Sequence, residues 1–118
     1  MKRVLAIDQG TTATKTYTLD ADGKFTFCSS VDHRQIYPRS GWVEHDPETL
    51  LQNVEDSIKA QPDTDAIGMD NQGETVIAWD GQTGVPVYNA IVWQDQRTTD
   101  FTEELKSKGI EDITFKKA

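Results

Sequence analysis

The amino-acid order predicts an α/β fold, a mixed β-sheet with flanking helices. Two observations carry this. Three short strand-like segments follow one another, a compact apolar run at 4–7 and alternating stretches at 15–19 and 25–28, and behind them a capped, apolar-striped helix opening at Asp46-Pro47 leads to a fourth strand at 66–69. Strands joined by tight turns run antiparallel, and a strand that returns after a helix makes the sheet a mixed one.

Val4-Leu5-Ala6-Ile7 is a compact apolar run halted by Asp8-Gln9-Gly10, so a buried strand delivers Asp8 to its carboxyl end. The next segment places Tyr17 and Leu19 on one face and Thr16 and Thr18 on the other. Asp20-Ala21-Asp22-Gly23 supplies hairpin chemistry before Phe25 and Phe27, which alternate with Thr26 and Cys28. At the helix, Asp46 is an N-cap acceptor, Pro47 suits the first helical position and Glu48 sets an acid near the positive helix end. Leu51, Val54 and Ile58 make its apolar stripe, which ends before Pro62. Beyond the fourth strand, 75–79 and 85–88 read as a hairpin around Gly81-Gln82-Thr83-Gly84, extended by 89–93, with Trp79 as cross-strand core. A last helix over 98–108 turns Phe101 and Leu105 inward and is closed by Gly109.

A chain of 118 residues suits one domain. Its 12 basic against 20 acidic residues give a net charge of -8 with the cations scattered, which argues against nucleic acid or an anionic membrane as partner. Cys28 is the sole cysteine, so disulfide frameworks and multi-cysteine metal sites are excluded and a reducing compartment fits. The short apolar run after Lys2-Arg3 falls well below a signal-peptide core, and no later run approaches a membrane span. A cytoplasmic location is expected.

Asp8-Gln9-Gly10-Thr11-Thr12 puts a carboxylate, a glycine and two hydroxyls in five residues at a strand end. Glycine lets the backbone approach a phosphate, amides and hydroxyls donate to its oxygens, and a carboxylate can hold hydrated Mg²⁺. Lys15 adds a positive charge if the turn brings it near the same group. The alternative on composition alone is a polar turn with Lys15 on the solvent face. GxxxxGK[ST] and GxGxxG patterns are both absent, which removes the main support for P-loop and Rossmann readings. His33 and His45 lack metal-ligand spacing.

Three blocks in register carry a resemblance: Ile7 to Thr12, Gln35 to Pro47, and a set running from Ala66 through Asn71-Gln72, Glu74-Thr75 and Trp79-Asp80 to Tyr88–Asp95 and Arg97-Thr98. Over about residues 3–113 the chain resembles the FGGY family of carbohydrate kinases, glycerol kinases in particular, with 114–118 reading as unrelated. The resemblance implies a ribonuclease-H-like (actin-like ATPase) fold that is incomplete here, residues 1–118 being the N-terminal part of the first of two domains. It implies ATP and Mg²⁺ as cofactors and a polyol or sugar as substrate, phosphorylated at a terminal hydroxyl.

By the same resemblance Asp8 serves water-mediated Mg²⁺ and phosphate positioning, Gly10, Thr11 and Thr12 meet phosphate, and Lys15 matches a basic position of that loop. Glu74 and Trp93 match substrate-pocket positions, the first accepting hydrogen bonds from hydroxyls and the second packing on the carbon skeleton. Glycerol kinases carry an arginine where this chain has Gly73. A charged hydrogen bond of that kind is worth about 1.5–3 kcal/mol, so the glycine puts glycerol itself in doubt. The general base and the adenine-binding half are expected beyond Ala118, which makes the isolated chain inactive. A stand-alone, non-catalytic binding module with the same half-fold is the alternative. An interrupted sheet leaves an exposed edge through which copies of the chain would associate.

Overall fold

The computed structural model describes residues 2–117. The chain runs β1 (Arg3–Gln9), β2 (Ala13–Asp20), β3 (Phe25–Asp32), β4 (Glu44–His45), α1 (Pro47–Lys59), β5 (Ala66–Asn71), β6 (Ala90–Ile91), α2 (Thr99–Ser107) and α3 (Ile110–Lys117). The main sheet has the order β3-β2-β1-β5, with β5 parallel to β1 and the other pairs antiparallel. This is the mixed sheet expected from the sequence. At the β2–β3 turn Gly23 adopts a φ of 83°, open to a residue without a Cβ, and its amide donates to Asp20 O at 2.9 Å.

The two faces of the sheet differ in chemistry. On one, Leu5 and Ile7 stand opposite Thr18 and Thr16, and α1 covers all four, leaving each buried. Threonine suits this place: it is β-branched, and small enough for a helix to come close. The Thr16 hydroxyl bonds the Ser29 hydroxyl of β3. On the other face Tyr17 stacks on Phe25 with ring centroids 4.8 Å apart and meets Phe27 edge-on at 5.6 Å, yet both phenylalanines stay more than half exposed.

Asp46 caps α1 as expected, accepting from Glu48 N at 3.1 Å and from the Thr49 hydroxyl at 2.8 Å. The buried stripe of this helix is not the expected one. It is Leu50, Asn53 and Ser57 that face the sheet, while Leu51 and Ile58 point outward. The apolar positions at 51, 54 and 58 have helical spacing, but spacing alone does not fix which face meets a sheet, and small side chains match the threonine surface better.

Three further expectations are corrected. The hairpin at 75–79 and 85–88 is held by isolated bridges, Val76 to Ile91 and Trp79 to Pro86, rather than a continuous ladder, and Trp79 is 62% exposed instead of core. Phe101 of α2 is likewise exposed, on a helix whose main contacts among the described residues are with α3. Gly109, at φ 75°, does end α2, but the chain turns straight into α3, a helix not foreseen. Also unforeseen is a small second sheet in which β4 pairs antiparallel with β6.

A radius of gyration of 18.2 Å and extents of 57 × 33 × 30 Å are large for 118 residues, since a compact domain of this length has about 13–14 Å.

Candidate functional site

Because β1 and β5 are parallel, their carboxyl ends and the loops that follow lie side by side. In open α/β sheets this is where ligands bind. Gln72 N donates to Gln9 O at 2.9 Å, which ties the second loop to the first.

In the first loop Gly10 N donates to Ala13 O at 3.0 Å, and a Cβ on Gly10 would come within 3.2 Å of that carbonyl, so the turn is tight. Thr11 and Thr12 form its tip. His33, buried, fixes this tip from behind: its Nε2 bonds Thr11 O at 3.0 Å and its backbone amide donates to Thr12 O at 3.1 Å. Asp8 is exposed on the open face of the sheet. Lys15 is not in the turn but on β2, directly across the ladder from Asp8 and on the same face. Asp70, which sequence reasoning did not single out, is the parallel partner of Asp8 on its other side.

In the second loop, Gln72-Gly73-Glu74-Thr75 makes a turn in which Glu74 adopts a φ of 65°, the one non-glycine residue at positive φ among those described. Such a conformation costs a side-chain-bearing residue about 1 kcal/mol and is held by its surroundings. A Cβ on Gly73 would meet nothing within 4 Å, so open space lies beside it. Glu74 and Trp93 line one cleft of about 350 Å³ together with Val76, Ile91, Asp95 and Arg97. The Trp93 indole N–H donates to the Thr11 hydroxyl at 2.9 Å, across 82 residues of sequence. The structure therefore brings Thr11, Glu74 and Trp93 into one neighbourhood.

The floor of the cleft is a buried ion network that the sequence did not reveal. Arg97 grips Asp95 through Nε and Nη2, both at 2.8 Å, reaches Glu44 at 2.7 Å, and lies 3.8 Å over the Trp42 ring. Glu44, fully buried, also accepts from Tyr88 at 2.9 Å and Asn89 at 2.8 Å. Burial works to raise the Glu44 pKa, but the Asn89, Arg97 and Tyr88 hydrogen bonds outweigh it and the net direction is down. The Arg97 hydrogen bond brings Asp95 down to about 2, and the same pairing raises the arginine. The Asp95-x-Arg97 spacing was visible, but its partner Glu44 lies 53 residues away.

An antiparallel meander followed by a helix and a parallel strand, with its loops gathered at the carboxyl ends of β1 and β5, defines a domain of the ribonuclease-H-like, actin-like ATPase class. The description "FGGY family of carbohydrate kinases, N-terminal domain" matches residues 3–118, extending through the last residues, which had read as unrelated. The chain belongs to this family. It is 46% identical to the glycerol kinase of Rhizobium meliloti (strain 1021) over 97% of its length, which is 24% of that protein, and 49% identical to the Corynebacterium glutamicum (strain R) glycerol kinase over 86% of its length, 22% of that one. Among solved structures, Plasmodium falciparum glycerol kinase with ADP superposes with a TM-score of 0.79 at 38% identity, covering 92% of this chain and 23% of that one. Ligand-bound xylulose kinase from Lactobacillus acidophilus gives 0.83 at 26% identity, covering 98% and 24%. The chain thus spans about a quarter of the length of these relatives. Among the described residues, no helix is long and apolar enough to cross a membrane.

Proposed function

We propose that the protein containing this chain is a cytoplasmic, ATP-dependent kinase that phosphorylates a terminal hydroxyl of a polyol or sugar. The observation that carries the reading is the Trp93–Thr11 hydrogen bond, which joins the cleft lined by Glu74 to the glycine-threonine turn of β1. Phosphoryl transfer is mainly a matter of positioning two substrates against each other, and this contact ties a phosphate-type turn to a hydroxyl-type pocket.

In this reading Gly10, Thr11 and Thr12 present amides and hydroxyls to phosphate, and Lys15 contributes charge from the next strand. Glu74 accepts hydrogen bonds from substrate hydroxyls and Trp93 packs on its carbon skeleton. The donor set suits Mg²⁺: Asp8 and its parallel neighbour Asp70 offer hard carboxylate oxygens, while no group of three or more such ligands occurs among the described residues. Mg²⁺ keeps most of its waters, and when bound it neutralises phosphate charge. The general base and the adenine contacts belong to parts of the protein outside these residues, in the rest of the first domain and in a second domain. The free edge of β5 is where a further strand would add, from the same protein or a second copy.

The open space beside Gly73 supports a substrate larger than glycerol. The test is an ADP-release assay on the natural-length protein with glycerol, erythritol, pentitols and ketoses. Turnover should be lost in Asp8→Ala, and Gly73→Arg should raise glycerol use while depressing the larger substrate. No turnover with any member of the panel would refute the kinase reading. Glycerol as best substrate, unaffected by Gly73→Arg, would refute the pocket argument alone.

A further inference from the structure

Behind the Trp93–Thr11 contact lies a chain of polar groups with one direction. The Trp93 backbone N–H donates to the Thr75 hydroxyl at 3.2 Å, that hydroxyl donates to Gln72 Oε1 at 3.0 Å, and Gln72 Nε2 meets His45 Nδ1 at 3.2 Å. The Thr75 hydroxyl donates to Gln72 Oε1, so Gln72 turns its carbonyl to Thr75 and its amide to His45. With the amide turned this way His45 accepts at Nδ1, and its proton sits on Nε2, a buried nitrogen without a hydrogen-bond partner among the described residues. The ring of His45 packs edge-on against His33 with centroids 4.9 Å apart, and His33 holds Thr11 O. Gln72 and Thr75 are also the two ends of the turn that keeps Glu74 at positive φ.

We infer that His45, Gln72 and Thr75 form a positioning relay which sets Glu74 and Trp93 against the Thr11 turn. None of the three need touch substrate; each acts through the residue it holds. The effect on turnover rests on the kinase reading, whereas the geometry does not.

Protonation of His45 reverses the direction of the relay. A proton on Nδ1 would face the Gln72 amide donor to donor, and turning that amide would make the Thr75 hydroxyl accept from NH₂ where it had donated to the carbonyl, which re-aims the group that holds Trp93 N. The groups around His45 are His33, Arg34 and Asp46, which line the same cavity of about 320 Å³, and Glu44, whose carboxylate is taken by Arg97, Tyr88 and Asn89. Burial first, and His33 second, push the His45 pKa below its ordinary 6.5.

The experiment uses the natural-length protein labelled with 5-fluorotryptophan, the Trp93 signal being assigned by Trp93→Phe. Thr75→Val should move that signal and raise KM for the polyol by about fivefold, the worth of one hydrogen bond, with KM for ATP changed by less than about twofold. Thr75→Ser should restore both. Lowering the pH through and below 6.5 should shift the wild-type Trp93 signal, and His45→Asn, which keeps an acceptor toward Gln72 but cannot titrate, should abolish that step. An unmoved Trp93 signal in Thr75→Val, or a Thr75→Ser variant as impaired as the valine, would overturn the relay. If no polyol or sugar is phosphorylated at all, the kinase reading falls while the fluorine signals still decide the relay.

Discussion

Replacing Arg97 with alanine should be among the most destabilising single changes in this chain. The guanidinium makes two hydrogen bonds of 2.8 Å to Asp95 and one of 2.7 Å to Glu44, and the side chains are 14%, 2% and 1% exposed respectively. Its removal leaves Asp95 with the Val43 and residue 97 amides and Glu44 with Tyr88 and Asn89, two buried carboxylates without a countercharge. Breaking a buried pair from one side costs about 3–5 kcal/mol, whereas a surface pair is worth about 1 kcal/mol or less. Urea denaturation followed by circular dichroism measures the difference. If stranded charge is the cause, Arg97→Ala/Asp95→Ala will lose less stability than the two single variants added together, because the second change removes one orphan. A loss below about 1 kcal/mol in Arg97→Ala, or strict additivity in the pair, would refute the reasoning.

Three other outcomes follow from the same geometry. Asp46→Ala removes the side-chain acceptor for Glu48 N and Thr49 and should lower stability by about 1 kcal/mol in the same denaturation experiment, with Asp46→Asn close to wild type. Glu74→Gly relieves the positive φ and should stabilise the chain by up to about 1 kcal/mol while weakening polyol binding in the natural-length protein, opposite signs that thermal melting and KM would separate. Acid should act in two stages. His45 has a folded pKa below 6.5, so the unfolded chain binds the proton first and stability declines as pH falls through 6.5; Glu44 and Asp95 also have depressed values, so their contribution is complete above about 4.5 and is lost on the way down to about 2. His45→Asn should erase the upper stage only, as read from melting temperature against pH.

What could be read from the residue order depended on how local the cause was. The three-strand meander, the capped start of α1 and the fourth strand rest on neighbouring residues: alternation, Asp20 to Gly23, and Asp46-Pro47-Glu48. The burial of Thr14, Thr16 and Thr18 was not legible, since hydrophobicity assigns threonine to solvent and only the docked helix makes that face interior. The two-residue strands β4 and β6 were hidden because 45 residues separate Asn89 from the Glu44 it bonds. At the site, Thr11, Glu74 and Trp93 were named from their family pattern, and the structure places them together. Thr75, Gln72 and His45 sat inside the quoted blocks without a role, because a hydrogen bond between side chains leaves no periodic signature.

The parallel pairing of β1 with β5 also sets an order of events during synthesis. The meander of β1, β2 and β3 closes through short turns and can form as soon as it is made, but β5 joins only after the chain has travelled 62 residues, the separation of the Arg3–Asp65 contact at the start of that pairing. Loop closure grows costly with that distance, and non-local pairing is what slows folding. Until α1 arrives, the β2 part of that face, Thr14, Thr16 and Thr18, waits in water at little cost beside Leu5 and Ile7, because its hydroxyls are content there. A leucine-rich face in the same position would offer each nascent chain a surface on which to aggregate.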